Sequence, residues 1–249
     1  MRLCKLNLEN LNNYINEQTL IIDNFESYPM ILKNFILENS DLISSIKKEY
    51  KDYLEFQRKT NYYSRTFNSN NLSLLNMKIV SLINKNNLKL LVFHVSRLTN
   101  EDCLLIKDNF QELNKELMLN RIESLSKYSI REQDIELIKS CLDERYLENK
   151  KLGAFTNLSS LKNDLYNEFY ENWVGEIISR KLIKTNIELM NKINSISTPY
   201  LLIFRYRYEE QKIKDLVLDF IKNEDINKIE DKWVYLDNTN CELLDMIKI

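Results

Sequence analysis

The sequence predicts an α+β protein in which a mainly helical N-terminal unit, residues 1–87, precedes a small mixed-sheet domain, residues 88–249. Three stretches carry that expectation. In DLISSIKKEYKDYLEFQ, from Asp41, the residues Ile43, Ile46, Tyr50, Tyr53 and Leu54 recur at three- and four-residue spacing, the period of an amphipathic helix. KLLVFHVS, 89–96, is a short apolar run containing β-branched and aromatic residues, the composition of a buried strand. TPYLLIFRYRY, 198–208, sets Leu202, Phe204, Tyr206 and Tyr208 against Ile203, Arg205 and Arg207, a period of two.

The elements follow in order. Asp41 is expected to cap the first helix, the polar run TFNSNNLS (66–73) to form a loop, and LSLLNMKIVSLINKN (72–86) to return to helix. After the strand, Thr99 opens T-N-E-D, a capping box with acidic residues in the first helical turn, and Cys103, Ile106 and Phe110 supply an apolar stripe. A helix is expected over about 113–126. Ser129 to Glu132 reads as a second capping box, opening a helix to about 147 with Ile135, Ile138 and Leu142 inward. KKLGAFTNLSS holds a short strand with Gly153 in a turn before it. From about 160 to 184 a helix is expected, with Leu165, Phe169, Trp173 and Ile177 four apart and Gly175 interrupting it at about 1 kcal/mol relative to alanine. KWVYLDN (232–238) and the terminal DMIKI are weaker strand candidates.

Composition removes several chemistries. Two glycines in 249 residues leave no G-x-G-x-x-G or G-x-x-x-x-G-K loop, against typical glycine usage of about 7%, so a Rossmann dehydrogenase, a P-loop NTPase and a kinase are excluded. A single histidine, His94, excludes H-E-x-x-H zinc chemistry. Cys4, Cys103, Cys141 and Cys241 form no C-x-x-C pair, the pattern of reduced thiols rather than of disulfides or a metal site. The N-terminus is too polar for a signal peptide and no apolar run approaches the roughly 18 residues of a membrane span, so a cytoplasmic protein without membrane contact is expected. A formal charge of -2 gives no global pull toward nucleic acid.

His94 is the one residue whose ordinary pKa lies near neutrality, at the end of an apolar strand and just before a capped helix. It is either a satisfied core imidazole or a ligand contact. Arg97 is either a bidentate grip on phosphate or carboxylate or an ion-paired surface residue. Glu176 precedes Arg180 by four residues, the order of an exposed helix ion pair. Arg205 and Arg207 share a strand face with Tyr206 and Tyr208 near them, either a small phosphate or nucleic-acid surface or the charged defence of an edge strand.

The succession of a strand ending in F-H-x-S/T, a capped helix, a later G-x-F-T strand, an aromatic-rich helix and an apolar strand resembles the ADP-ribosyltransferase-like fold. The chain is also similar to a group of bacterial proteins carrying F-H-x-T-R-L-T, W-G-G-E-A and T-P-C-I-V-E, which here read FHVSRLT (93–99), WVGEI (173–177) and TPYLLIF (198–204). The resemblance covers roughly residues 89–249. It implies NAD as a bound substrate, with His94 holding the dinucleotide, Ser96 beside it, and Phe155 and Thr156 against the nicotinamide side. It further implies a late-strand glutamate that stabilises an oxocarbenium ion, for which Glu230 is the first candidate by position and Glu176 the second. The implied activity is transfer of ADP-ribose to a macromolecular acceptor, or hydrolysis of NAD, in a toxin or phage-defence setting.

Val95 and Asn109 stand where that family usually has glycine. They favour a rival reading, a non-catalytic module on the same fold that binds protein through the helical unit or nucleic acid through the Arg205 and Arg207 face. In an enzyme, His94, Thr156 and one glutamate must converge on a single cleft.

Overall fold

The structure is a computed structural model and describes residues 11, 13–16, 18–21, 25–60, 67–108, 115–142, 152–157, 171–173, 175–207, 214–215, 233–236 and 239–249. It mixes helices and sheet, as the composition of the segments requires. Two compact units are present, one holding Leu11–Leu90 and Arg207–Glu230, the other Met1–Asn10, Leu91–Tyr206 and Asp231–Ile249. The division falls inside one strand.

The first unit contains a two-residue strand β1 (Thr19–Leu20) and helices α1 (Met30–Glu38), α2 (Ser40–Thr60) and α3 (Asn70–Asn86). Ile43 and Ile46 are buried as their spacing requires, with Tyr50, Tyr53 and Leu54 half-buried beside them. Asp41 is not the cap of α2: the helix starts at Ser40, and Asp41 lies in its first turn, where its charge still favours the helix N-terminus. Ser69 caps α3 by accepting from the Leu72 amide at 3.0 Å, so that helix starts inside the stretch expected to be a loop. Asn87, at φ 50°, closes its C-terminus, and β1 then pairs in parallel with Lys89 and Leu90.

The second unit is built on β2 (Lys89–Leu98), β3 (Leu152–Phe155), β4 (Thr198–Tyr206), β5 (Trp233–Leu236) and β6 (Cys241–Lys248), in the order β5-β3-β2-β4-β6. β3 runs antiparallel to β2 with Phe93 opposite Phe155, and β6 runs antiparallel to β4 along its whole length. Leu201, Leu202, Ile203 and Phe204 are all buried, so the expected alternation in β4 fails. The reason is position: β4 lies between β2 and β6 and is no edge strand, and a strand covered on both faces reads as an unbroken apolar run.

Helices α4 (Asn100–Asp108), α5 (Lys115–Ser124), α6 (Glu132–Ser140), α7 (Gly175–Thr185) and α8 (Ile187–Ile196) belong to this unit. Met118, Ile122, Ile135, Ile138, Ile178, Leu182, Leu189 and Ile193 enclose Trp173 in one apolar cluster. Three expectations are corrected here. Ser129 does not cap α6: at φ 59° it closes a 3-10 turn over Leu125–Tyr128, and Arg131 is the N-cap residue. Gly175 does not interrupt a helix but begins one, because Trp173 is drawn out of helical geometry into a parallel bridge with Arg97. Gly153 lies within β3, paired with Tyr235, rather than in a turn before it. Helix α8 went unread in the sequence, although Asn186 caps it by accepting from the Leu189 amide at 3.0 Å.

Phe204 is fully buried on β4, an interior strand of the sheet. Phe204→Ala is expected to lower the unfolding free energy by about 3–5 kcal/mol, measured by urea denaturation, because the core cannot close over the lost ring.

Candidate functional site

Thr99, Asp102 and Arg121, buried polar residues of the second unit, meet where β2 hands over to α4. Thr99 and Asp102 form the expected capping box reciprocally: the Asp102 amide donates to Thr99 Oγ1 at 3.2 Å and the Thr99 amide donates to Asp102 Oδ2 at 2.9 Å. That carboxylate does more than cap. Its Oδ2 also accepts from Trp173 Nε1 at 2.9 Å, and its Oδ1 accepts from Arg121 Nε at 2.7 Å. Asp102 is wholly buried and the Arg121 guanidinium, in α5, stands over the Trp173 ring with its Cζ 5.6 Å from the centroid. Burial alone would raise the Asp102 pKa. The Arg121 charge and the hydrogen bonds from Arg121, Thr99 and Trp173 outweigh it and hold the carboxyl below its ordinary value.

Arg97, at the end of β2, makes a second tie. Its Nη2 donates to the carbonyls of Asn194 at 2.7 Å and Ser197 at 3.0 Å, and its Nε donates to Asn194 O at 3.2 Å and Ser197 Oγ at 3.0 Å. These oxygens end α8, so the cation sits where the helix leaves carbonyls unpaired and its dipole is negative. Asn194 in turn accepts the Trp173 amide on Oδ1 at 3.0 Å. The residues of FHVSRLT, of the tryptophan segment and of the helix before TPYLLIF therefore meet in one network.

His94 lies on β2 beside this network. A carbonyl only accepts, so the 2.7 Å contact between His94 Nδ1 and Gly153 O on β3 fixes the neutral tautomer with its proton on Nδ1. The side chain is half-buried, yet protein surrounds it densely enough that loss of hydration pulls its pKa from 6.5 to about 4; the Gly153 bond opposes this and the Arg121 charge adds to it. Nε2 is left as an acceptor with no hydrogen-bond partner among the described residues. Arg121 mirrors it: Nη2 is a buried donor with no partner among the described residues.

The remaining expected site residues are placed as follows. Ser96 is half-buried on β2, and Phe155 and Thr156, at the end of β3 and just beyond it, are buried. Glu176 is the second residue of α7, close in sequence to the Trp173 bridge, and its side chain lies outside the described set. Glu230 also lies outside the described residues. Arg205 donates to Glu242 Oε2 at 2.8 Å, its register partner on β6, whereas Arg207 is exposed past the end of β4. Cys103, Cys141 and Cys241 are in no disulfide, Cys4 is outside the described residues, and no cluster of metal-ligating side chains occurs among the described residues. None of the described helices is long and apolar enough to cross a membrane.

Sequence reasoning passed over Arg121 and Asn194. Arg121 had a signal: Met118, Ile122 and Leu125 define the inward face of its segment, and position 121 falls on that face, where an arginine needs a buried partner. No family model, curated protein or solved structure matches the chain.

Asp102→Asn keeps the shape but leaves Arg121 buried without its counter-charge, and is expected to cost about 3–5 kcal/mol by denaturant unfolding at pH 7. Because the folded-state pKa of Asp102 is depressed, its stabilisation is present above the ordinary aspartate range near 3.9 and is lost as pH falls through the folded value. The difference between wild type and Asp102→Asn should therefore shrink below about pH 4. A second expectation uses the single histidine of the chain: its imidazole carbon-bound proton resonances, assignable without ambiguity, should titrate near pH 4 in the folded protein. A midpoint near 6.5 would contradict the buried, Gly153-bonded ring.

Proposed function

We propose that this chain is an ADP-ribosyltransferase-like protein that binds NAD at the end of β2 and passes ADP-ribose to a macromolecular acceptor or to water. The observation that carries the reading is the state of His94. Its ring is anchored by Nδ1 on the neighbouring strand and its Nε2 is held deprotonated at neutral pH, a preset acceptor for a hydroxyl or amide proton of a ligand. Phe155, paired with Phe93, and Thr156 follow on the strand that anchors it, the positions that the resemblance assigns to the nicotinamide side.

In such a reaction the bond from ribose C1′ to nicotinamide nitrogen breaks, nicotinamide leaves with the electron pair, and the oxocarbenium ion is captured by an acceptor oxygen or nitrogen, whose proton passes to solvent. A carboxylate near the cation is the electrostatic contribution required. Glu230 and Glu176 remain the two candidates. Glu176 has in its favour that its helix begins just after Trp173, whose backbone bridges Arg97 on the histidine strand. His94 itself serves in positioning: a ring with a pKa of about 4 keeps Nε2 unprotonated at pH 7, and its Nδ1 proton is held by the Gly153 carbonyl.

The rival reading, a non-catalytic binding module, draws support from the helical unit, where Met30, Leu37, Phe56 and Met77 are exposed. It draws less from the arginine face, since Arg205 is engaged with Glu242. The thermal unfolding midpoint with and without millimolar NAD separates the two. A ligand at about 100 times its Kd stabilises by about 2.7 kcal/mol, and a shift of several degrees is expected for wild type and none for His94→Ala. No shift in wild type would transfer the assignment to the binding module.

A further inference from the structure

Strand β6 ends the sheet order β5-β3-β2-β4-β6, and among the described residues no strand lies beyond it. Its middle, Leu243 to Ile247, is half-buried throughout and apolar except for Asp245. A strand of that composition at a sheet edge is a template for pairing with another chain.

The ladder with β4 shows which backbone groups this edge offers. The Ile249 amide donates to the Pro199 carbonyl at 3.1 Å, so residues 199 and 249 are a hydrogen-bonded pair of an antiparallel ladder. Such pairs alternate with pairs whose N–H and C=O groups point away from each other. Lys248, opposite Tyr200, and Met246, opposite Leu202, are of the second kind, so their amides and carbonyls face the open side. Further along, Ile203 is opposite Asp245 but Phe204 is opposite Leu243, which makes Leu244 an extra residue on β6 and ends the even spacing of the edge. The regular edge is therefore the stretch from Asp245 to Lys248.

Asp245 obstructs that stretch. Its Oδ1 accepts the Met246 amide at 2.7 Å, one of the two outward N–H groups. An approaching strand has to break this bond and also meet a carboxylate at the centre of the apolar run. The ends of β6 carry opposite charges, Glu242 and Lys248, both exposed. An antiparallel second copy of β6 lays the acidic end of one strand beside the basic end of the other, and apolar side chains beside apolar ones. Of the charged residues of the strand, Asp245 alone is brought near its own kind.

We propose that the outer side of β6 is a latent pairing surface for β6 of a second copy of this chain, and that Asp245 is the residue that keeps it closed. The inference is independent of the dinucleotide reading.

The test is sedimentation velocity of wild type, Asp245→Ala and Glu136→Ala, the last removing an exposed carboxylate on α6, over about 1 to 100 µM, a range in which open strand edges associate. Wild type and Glu136→Ala are expected to stay at 29.9 kDa, whereas Asp245→Ala rises toward twice that mass as its concentration increases. In the associated variant the Met246 and Lys248 amides should exchange with solvent more slowly than in the dilute one, because they have entered a ladder. Asp245→Ala that stays monomeric, association that leaves those two amides unprotected, equal association of Glu136→Ala, or wild type that dimerises with the two amides protected each overturns the inference. Should Asp245→Ala fail to fold, Asp245→Thr, a good strand former of similar size, takes its place with the same readings.

Discussion

The buried carboxylate of Asp102 is the constraint on which the second unit depends. It receives the backbone amide of Thr99, the indole of Trp173 and the Nε of Arg121, and so joins the end of β2, the start of α4, the helix α5 and the segment before α7. Taking an aspartate and an arginine out of water costs several kcal/mol per ion, and only a full set of well-directed partners offsets it. Asp102 has that set. Its wide reach explains why Trp173, the largest fully buried side chain here, leaves helical geometry: the indole N–H must meet the carboxylate while the backbone bridges Arg97.

With that corner fixed, the position of His94 follows. The strand that carries it is held at its far end by Thr99 with Asp102 and by Arg97 on the carbonyls of α8, and is paired on one side with β3, whose Gly153 carbonyl takes the Nδ1 proton. A flexible imidazole would sample both tautomers and both ring orientations. This one presents a single face, an unprotonated Nε2, at every pH above about 4. The chemistry open to its Nε2 is acceptance of a hydrogen bond.

Local signals in the sequence were legible and distant pairings were not. Thr99 and Asp102 lie three residues apart, so their capping box is written in four letters and forms as read. Ser129 to Glu132 is written in the same letters, but Ser129 goes into a left-handed conformation to close the 3-10 turn after α5, and the turn wins because Leu125 and Ile130 on either side of it are both buried. The alternation in β4 misled because Arg205 is polar on account of one partner, Glu242 on the next strand, and not because its face is open to water. The pairing of Asp102 with Arg121 spans 19 residues and that of Asp102 with Trp173 spans 71. No periodicity encodes a contact of that range; the hint was an arginine on an otherwise apolar helix face.

The two arginines tied into the Trp173 network show the same limit. Arg97 stands in the motif beside the histidine and by its place in the sequence is the obvious grip for a ligand, yet its Nε and Nη2 are committed to the carbonyls and hydroxyl that end α8. Arg121 belongs to no motif, and its Nη2 is buried with no partner among the described residues. A guanidinium contributes to binding through the donors it has left after the fold has taken its share, since a donor already paired must break a bond to make one. By that measure proximity to the histidine in sequence is a poor guide. Asp102 satisfies the charge of Arg121 and only part of its hydrogen-bonding.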